Sequence, residues 1–231
     1  LKDYIIYPLS EAAVLIHFGH KNQNLKVQSA INQIESFPFL GLRELVPAYH
    51  TLTIYYDPFI VNGPFPFEKV KNHLESVLTS LNAATVMNNR YIDIPVCYES
   101  DFAPDLNDLA INNNLTIEKA VQLHTSVIYD VMFIGFSPGF PFLAGLDSRL
   151  HFPRKKTPRL KVHQGSVGIA GKQTGIYSLD SPGGWQIIGR TPTKLFNIKS
   201  ETPTLLKAGD KVKFYPITQK EFYSWEDRLW E

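Results

Sequence analysis

The sequence is poor in sulfur. Cys97 is its single cysteine, so a disulfide framework within the chain is impossible and a cytosolic protein is the simplest expectation. Cys97 follows Ile-Pro-Val in a strand-like run, where a buried, inert thiol is expected rather than a reactive one. No apolar run reaches the ~18 residues that cross a bilayer, so no membrane partner is expected. The opening LKDYIIYPLSEAAV has no basic-then-apolar leader and no small-residue cleavage site. Acid is missing from one long stretch: between Ser148 and Leu179 there is no Asp or Glu, while Arg149, Arg154, Lys155, Lys156, Arg159, Lys161 and Lys172 supply seven positive charges. No His, Cys or carboxylate stands at metal-ligand spacing beside His124, so no structural metal is expected. Repeats and low-complexity tracts are lacking.

What is present is a chain of 231 residues, long enough for one large domain or two small ones. Charge is unevenly spread. Residues 1–147 hold 8 Lys/Arg against 15 Asp/Glu, a balance of −7, and residues 148–231 hold 15 against 7, a balance of +8. General nucleic-acid binding is not expected of such a molecule, but its C-terminal part suits an anion or an acidic partner.

Residues 4–8 and 12–18 read as strands around a Pro-Leu-Ser-Glu turn. Val27, Ala30, Ile31 and Ile34 recur at helical spacing across 23–36. LVPAYHTLTIYYD (45–57) reads as two strands broken near Pro47, and DPFIVNGPFP as a turn-rich piece. Phe67, Val70, Leu74, Val77, Leu78 and Leu81 mark one face of a second helix. The order β-β-α-β-β-α predicts a small α+β domain over residues 1–85. NAATVMNNR (82–90) is a polar linker. A second domain, 90–231, restarts with YIDIPVCY and continues with two short helices, one after Pro104 and one from about Thr116 to Thr125. Strands then dominate: VIYDVMFIGF, SVGIAG, GIYSL, WQIIGR, KLFNI and KVKFYP. The Gly- and Pro-rich turns between them predict a closed or nearly closed β-barrel.

GFSPGF (135–140) satisfies the G-x-S-x-G pattern of a nucleophile elbow. In an elbow the N–H after the serine helps bind the oxyanion. Here Pro138 follows Ser137 and has no N–H, a loss of about 3–4 kcal/mol of transition-state stabilisation. Ser137 is therefore expected either in a rigid turn at a barrel rim or in a ligand-contacting loop, with its hydroxyl and the Gly139 N–H as donors. GIAGKQTG (168–175) has Ser166 and Gln173 where a Walker A loop needs Gly and Ser/Thr, so a hairpin turn is favoured. His124 shares a helical face with Ile117, Ala120 and Val121; a core histidine is the default, and acid/base work would require a pocket mouth. In SPGGWQIIGRTP (181–192), Gly183 and Gly184 indicate close backbone approach or positive φ. Trp185 is either core or a stacking wall, and Arg190 can fork onto a carboxylate or phosphate.

Together, GFSPGFPFLAGLD (135–147), PRKKTPR (153–159), GSVGIAGKQTGIY (165–177) and SPGGWQIIGRTP resemble the signature blocks of the family of 5-oxoprolinase B subunits, also called PxpB, KipI or allophanate hydrolase subunit 1. IPVCY (94–98), APDLNDLA (103–110) and Leu123-His124 fit it too. The resemblance implies an α+β N-terminal domain followed by a mainly-β, cyclophilin-like barrel domain. It implies a hydrolase subunit, inactive alone, that opens 5-oxo-L-proline to L-glutamate with partner subunits A and C. ATP and its Mg2+ are the implied cofactors, bound here or on a partner. Two other activities occur in the family: inhibition of a sensor histidine kinase, and work as an allophanate/urea-amidolyase-type hydrolase subunit. On the enzyme reading His124, Gln173 and Arg190 are the expected catalytic residues. Ser137, Gly139, Phe140, Arg159, Lys172, Thr174, Ser181, Gly183, Gly184 and Trp185 are the expected substrate contacts. These turns and cations are expected to converge on one anion-receiving hollow that another polypeptide completes. A prolyl isomerase would follow from the barrel alone, and a fold does not establish an activity.

Overall fold

Strands that alternate apolar and polar residues bury one face each, and four of them build the first part of the chain. β1 (Tyr4–Ser10), β2 (Ala13–Phe18), β3 (Leu42–Pro47) and β4 (Thr51–Tyr56) pair in the order β1-β2-β4-β3, all antiparallel. The structure, a computed structural model, describes residues 4–19, 23–61, 63–78, 90–99 and 101–226, and the chain divides into two units after Asn88. In the first unit, α1 (Gln23–Ser36), the one-turn α2 (Pro58–Val61) and α3 (Pro66–Val77) accompany the sheet. Val27, Ala30, Ile31 and Ile34 of α1 and Val70 and Leu74 of α3 share one core with Val14, Ile16, Phe18, Leu52, Ile54 and Tyr56. The helix α2 lies in the segment expected to be turn only. Asp57 Oδ1 accepts the N–H groups of Phe59 and Ile60 there, and Pro58 presets the first helical position. Leu81 and the expected linker up to residue 89 lie outside the described residues.

The second unit runs β5 (Tyr91–Cys97), α4 (Leu106–Asn112), α5 (Ile117–Ser126), β6 (Ile128–Ile134), β7 (Pro141–Ala144), β8 (Arg159–Val162), β9 (Ser166–Ala170), β10 (Gln173–Ile176), β11 (Ser181–Gly183), β12 (Gln186–Arg190), β13 (Lys211–Ile217) and α6 (Gln219–Tyr223). Seven of these strands close a barrel in the order β10-β7-β6-β13-β5-β12-β9. Ile94, Tyr129, Val131, Leu143, Val167, Ile169, Ile188 and Phe214 fill it, joined by Leu106, Leu109 and Leu123 from the two helices. The architecture is thus an α+β unit followed by a mainly-β barrel unit. Outside the barrel, β8 and β11 form a two-stranded ribbon. Phe140, Val162, Ala170, Tyr177, Trp185 and Ile187 form a second small core, so β9 is covered on both faces and all its residues are buried. No helix among the described residues is long and apolar enough to cross a membrane.

Two sequence expectations change. KLFNI (194–198) is not a strand. The barrel is already closed, and this segment pairs with its own return instead: Leu205 N donates to Leu195 O and Asn197 N to Pro203 O. Leu195 is buried in the barrel while Ile198 is 79% exposed. Conversely, Arg159–Val162, not among the strand segments read from the sequence, is strand because Ser181 and Gly183 of β11 pair with it.

The barrel has one thin seam. β12 and β5 share a single register pair, Arg190 with Cys97. Gly189 lies beside it, where a Cβ would come within 2.5 Å of Val96. Ile187 of β12 pairs instead with Asp105, just before α4. Asp105 N donates to Ile187 O at 3.0 Å, and Ile187 N donates to Asp105 Oδ2 at 2.6 Å. The other carboxylate oxygen accepts from Arg159 Nη2 at 2.6 Å and Lys155 Nζ at 2.9 Å. Burial pushes this carboxyl's pKa up, but hydrogen bonds from Arg159, Ile187 and Lys155 outweigh it and hold the group below the usual carboxylate range. Such a depressed pKa stabilises the fold fully above the unfolded value of about 3.9, and this stabilisation is lost as pH falls through the folded value. Asp105→Ala is expected to lower stability by about 3 kcal/mol. Asp105→Asn, which keeps an acceptor for Ile187 but not the charge, should lose less. Urea denaturation midpoints measure both, and an unchanged midpoint for the alanine variant would remove Asp105 from the seam.

Candidate functional site

A cleft of about 130 Å³ opens beside this seam. Its apolar walls are Phe102, Pro104, Val162 and Ile187, and its polar lining is Arg159, Lys161, His163, Ser166 and Arg190 with one carboxylate, Asp101. Arg190, the last residue of β12, stands opposite Ser166, the first of β9. Arg190 Nε donates to Gln164 O at 2.8 Å, and the guanidinium carbon lies 5.8 Å from the Phe222 ring centroid, a cation–π distance. Gly165 permits this close turn: its φ is +83°, and a Cβ there would come within 2.2 Å of Thr191 O. The guanidinium is therefore held by one edge and one face. No acceptor for its two terminal amino groups stands within hydrogen-bond reach among the described residues.

Five of the other cations of this region are engaged. Arg159 and Lys155 share Asp105, Lys161 binds Asp180 at 2.9 Å, and Arg149 binds Asp147 at 2.7 Å. Arg154 lies over the Trp185 ring at 5.9 Å. Much of the acid-free run is thus neutralised by carboxylates from outside it. Two larger hollows exist, and among the described residues neither is lined by Lys or Arg. One, of about 750 Å³, includes Asp93, Tyr215, Glu221 and Trp225. The other, of about 650 Å³ and in the first unit, includes Glu11, Phe59, Phe65 and Glu68.

The expected site residues do not meet in one hollow. Gln173 pairs with Ala170 and Arg190 with Ser166, at opposite ends of β9, about 13 Å apart along the strand. An antiparallel hairpin sends its turn to the far rim, so half-buried Gln173 and exposed Lys172 lie away from Arg190. Ser137 lies at the rim opposite Lys172. Its Oγ is 3.1 Å from Ser178 Oγ, and no imidazole or carboxylate contacts it among the described residues. The preceding Phe136 has φ +68° and is 64% exposed, a strained conformation for a bulky side chain. Phe140 and Trp185 belong to the small outer core. Gly139 is buried against the Leu195 backbone, and Gly183 leaves room for the Tyr177 hydroxyl, which a Cβ would approach to 2.2 Å. Gly184 O accepts from Lys155 N at 2.8 Å. Ser181 Oγ is buried without a partner among the described residues. Of the expected set, only Arg190 and Arg159 line the cleft.

His124 is wholly buried inside the barrel. Phe214 stacks on it at 4.7 Å, Tyr98 Oη is 2.7 Å from Nδ1, and Thr174 Oγ1 is 3.2 Å from Nε2. The Thr174 hydroxyl donates to Gly168 O at 3.0 Å, so it accepts from Nε2–H. Nδ1 is left to accept from the Tyr98 hydroxyl. Both ring nitrogens of a neutral imidazole are satisfied, and burial holds its pKa down to about 3. This is a core histidine, not one at a pocket mouth. Sequence reasoning missed Ser166 and Phe222 as site components, because each joins Arg190 only through strand register and packing.

An α+β unit followed by a closed barrel is the architecture, and comparison with known proteins assigns the chain to a class. The sequence model of the family described as carboxyltransferase domain, subdomain C and D, matches residues 4–206, and the chain belongs to that family. Within it, the chain is 42% identical over 233 residues to the 5-oxoprolinase B subunit of Bacillus subtilis, covering 97% of each. It is 40% identical over 212 residues to the 5-oxoprolinase B subunit of Haemophilus influenzae, covering 90% of this chain and 96% of the relative. The crystal structure of TTHA0988 aligns with a TM-score of 0.77 at 32% identity over 92% of this chain, which spans only 40% of that longer one.

The His124 geometry fixes a pH dependence. An unfolded histidine takes up its proton near pH 6.5, and the folded one only at about 3. Stability is therefore full above pH 6.5 and falls by up to about 1.4 kcal/mol per pH unit as pH drops through that window. His124→Gln, which can still pair with Tyr98 and Thr174, is expected to flatten this slope in urea titrations at pH 7, 6 and 5 (about one unit apart). An identical slope in both proteins would count against a buried neutral imidazole.

Proposed function

We propose that this chain is the B subunit of a 5-oxoprolinase, contributing to the opening of 5-oxo-L-proline to L-glutamate with partner subunits A and C. The observation that carries the reading is end-to-end similarity to proteins of that name, covering 97% of both chains in one case. The cleft is consistent with it. A lactam is resonance-stabilised and a poor electrophile, so its hydrolysis is coupled to ATP, which activates the carbonyl oxygen by phosphorylation. Such chemistry calls for positioning and positive charge more than for a protein nucleophile. Arg190 supplies a preorganised anion-binding fork, and Ser137, with only a serine beside it, supplies no activated nucleophile.

The described residues form no dedicated metal cage and no P-loop. Among the described residues no group of three or more His, Cys, Asp or Glu could hold a metal ion. The Gly171–Lys172 turn joins two strands rather than a strand and a helix, so it lacks the helix N-terminus of a P-loop. Nucleotide binding is assigned to a partner subunit, and the cytoplasm, where ATP is available, is the compartment.

The test is reconstitution. The chain alone is expected to form no glutamate from 5-oxo-L-proline and ATP, whereas a mixture with candidate A and C subunits should form it in step with ATP hydrolysis. A silent mixture, together with suppression of a histidine kinase's autophosphorylation by the chain alone, would replace this reading with the inhibitor one.

A further inference from the structure

We infer that the Arg190 cleft is a seat for the carboxylate of a small cyclic amide, and that it excludes the nucleotide. The inference rests on the proposed function for the identity of the amide and on the cleft itself for everything else. Size is the first argument. At about 130 Å³ the cleft falls well below the roughly 300–1,000 Å³ of sites that enclose drug-sized ligands. A nucleoside triphosphate is too large to be enclosed there, whereas a single small ring with one carboxylate is not.

Charge is the second argument. Arg159 and Lys161 line the cleft but already hold Asp105 and Asp180, and Asp101 adds a carboxylate to the wall. What remains for a ligand is one guanidinium edge. Two parallel N–H donors match the two oxygens of one carboxylate. A polyphosphate would bring further negative charge beside Asp101, where Arg159 and Lys161 are already paired with carboxylates.

Shape is the third. Phe102, Pro104 and Ile187 share the lining with the polar groups and give an apolar surface for ring methylenes. Ser166, with its backbone paired to Arg190, brings a hydroxyl to the same lining for an amide oxygen or nitrogen. A free phosphate would use the fork and waste the apolar wall, so the wall selects an organic anion.

The experiment uses the full chain and calorimetric or ligand-observed NMR titration with four probes: 5-oxo-L-proline, pyrrolidinone (the same ring without the carboxylate), inorganic phosphate and ATP. 5-Oxo-L-proline is expected to bind about 10- to 100-fold more tightly than pyrrolidinone, the range set by one charge-assisted hydrogen-bonded contact. Arg190→Ala should erase that difference. Arg190→Lys, which keeps the charge but not the two-pronged geometry, should fall between, and it guards against a folding defect in the alanine variant. ATP and phosphate should not displace the lactam. The inference is overturned by equal binding of the two rings, by displacement with ATP or phosphate, or by no binding of 5-oxo-L-proline to either the chain or its complex with A and C subunits. The two readings fail separately. A complex that hydrolyses the lactam with a KM indifferent to Arg190→Ala keeps the function and loses the cleft. A chain that binds small carboxylates through Arg190 in a complex that hydrolyses no lactam keeps the cleft and loses the function.

Discussion

Asp105 does with one carboxylate what a run of strand pairing does elsewhere in the barrel. β12 touches β5 through one register pair, and below it the backbone of Ile187 finds both its partners on Asp105. The remaining carboxylate oxygen ties in Arg159 and Lys155 from the outer layer. The start of α4, the wall of the barrel and the ribbon covering it therefore meet at a residue only 2% exposed. A buried carboxylate without such partners would be neutralised or expelled. Satisfied by two cations and a backbone N–H, it fixes where the walls of the cleft stand.

The same pairing decides what the cleft can attract. A sequence stretch with seven cations and no acid suggests a broadly positive surface. In the folded chain Asp105, Asp147 and Asp180 each take up members of that stretch. Arg190 lies outside the stretch and keeps its terminal amino groups unengaged among the described residues. Its rigidity comes from Gln164 O and the Phe222 face, so little side-chain entropy is left to lose on binding an anion. The charge left in the cleft is thus set by subtraction rather than by accumulation.

The sequence was most readable where a period is imposed by one-sided burial. Val27, Ala30, Ile31 and Ile34 form the inner face of α1 as their spacing predicts, and the barrel strands 128–134, 166–170, 186–190 and 211–217 fall within or against the segments that strand composition marks. It misled where burial is not one-sided or where pairing is not local. KLFNI has a strand's composition but arrives at a barrel with no open edge. Arg159–Val162 carries no strand signal of its own and becomes a strand because Ser181 and Gly183, some twenty residues on, pair with it. Within the site, Arg190 was legible as a fork-bearing residue after a Gly-rich strand. The company it keeps was not, because Ser166, Phe102 and Phe222 come from three distant segments.

The residues by themselves determined the two-part architecture, the lack of an oxyanion donor at Pro138 and the failure of a P-loop at Ser166 and Gln173, because each depends on local backbone chemistry: a missing N–H, a missing glycine, a repeat of apolar positions. Only the tertiary structure decided that Gln173 and Arg190 stand at opposite ends of β9, that His124 is sealed between Phe214, Tyr98 and Thr174, and that Arg159 and Lys161 meet carboxylates while Arg190 meets none among the described residues. Those outcomes depend on which strand neighbours which and on which carboxylate reaches which cation. Hydrogen-bond register and ion pairing across long loops are set by closure of the whole barrel, and no stretch of sequence carries that closure alone.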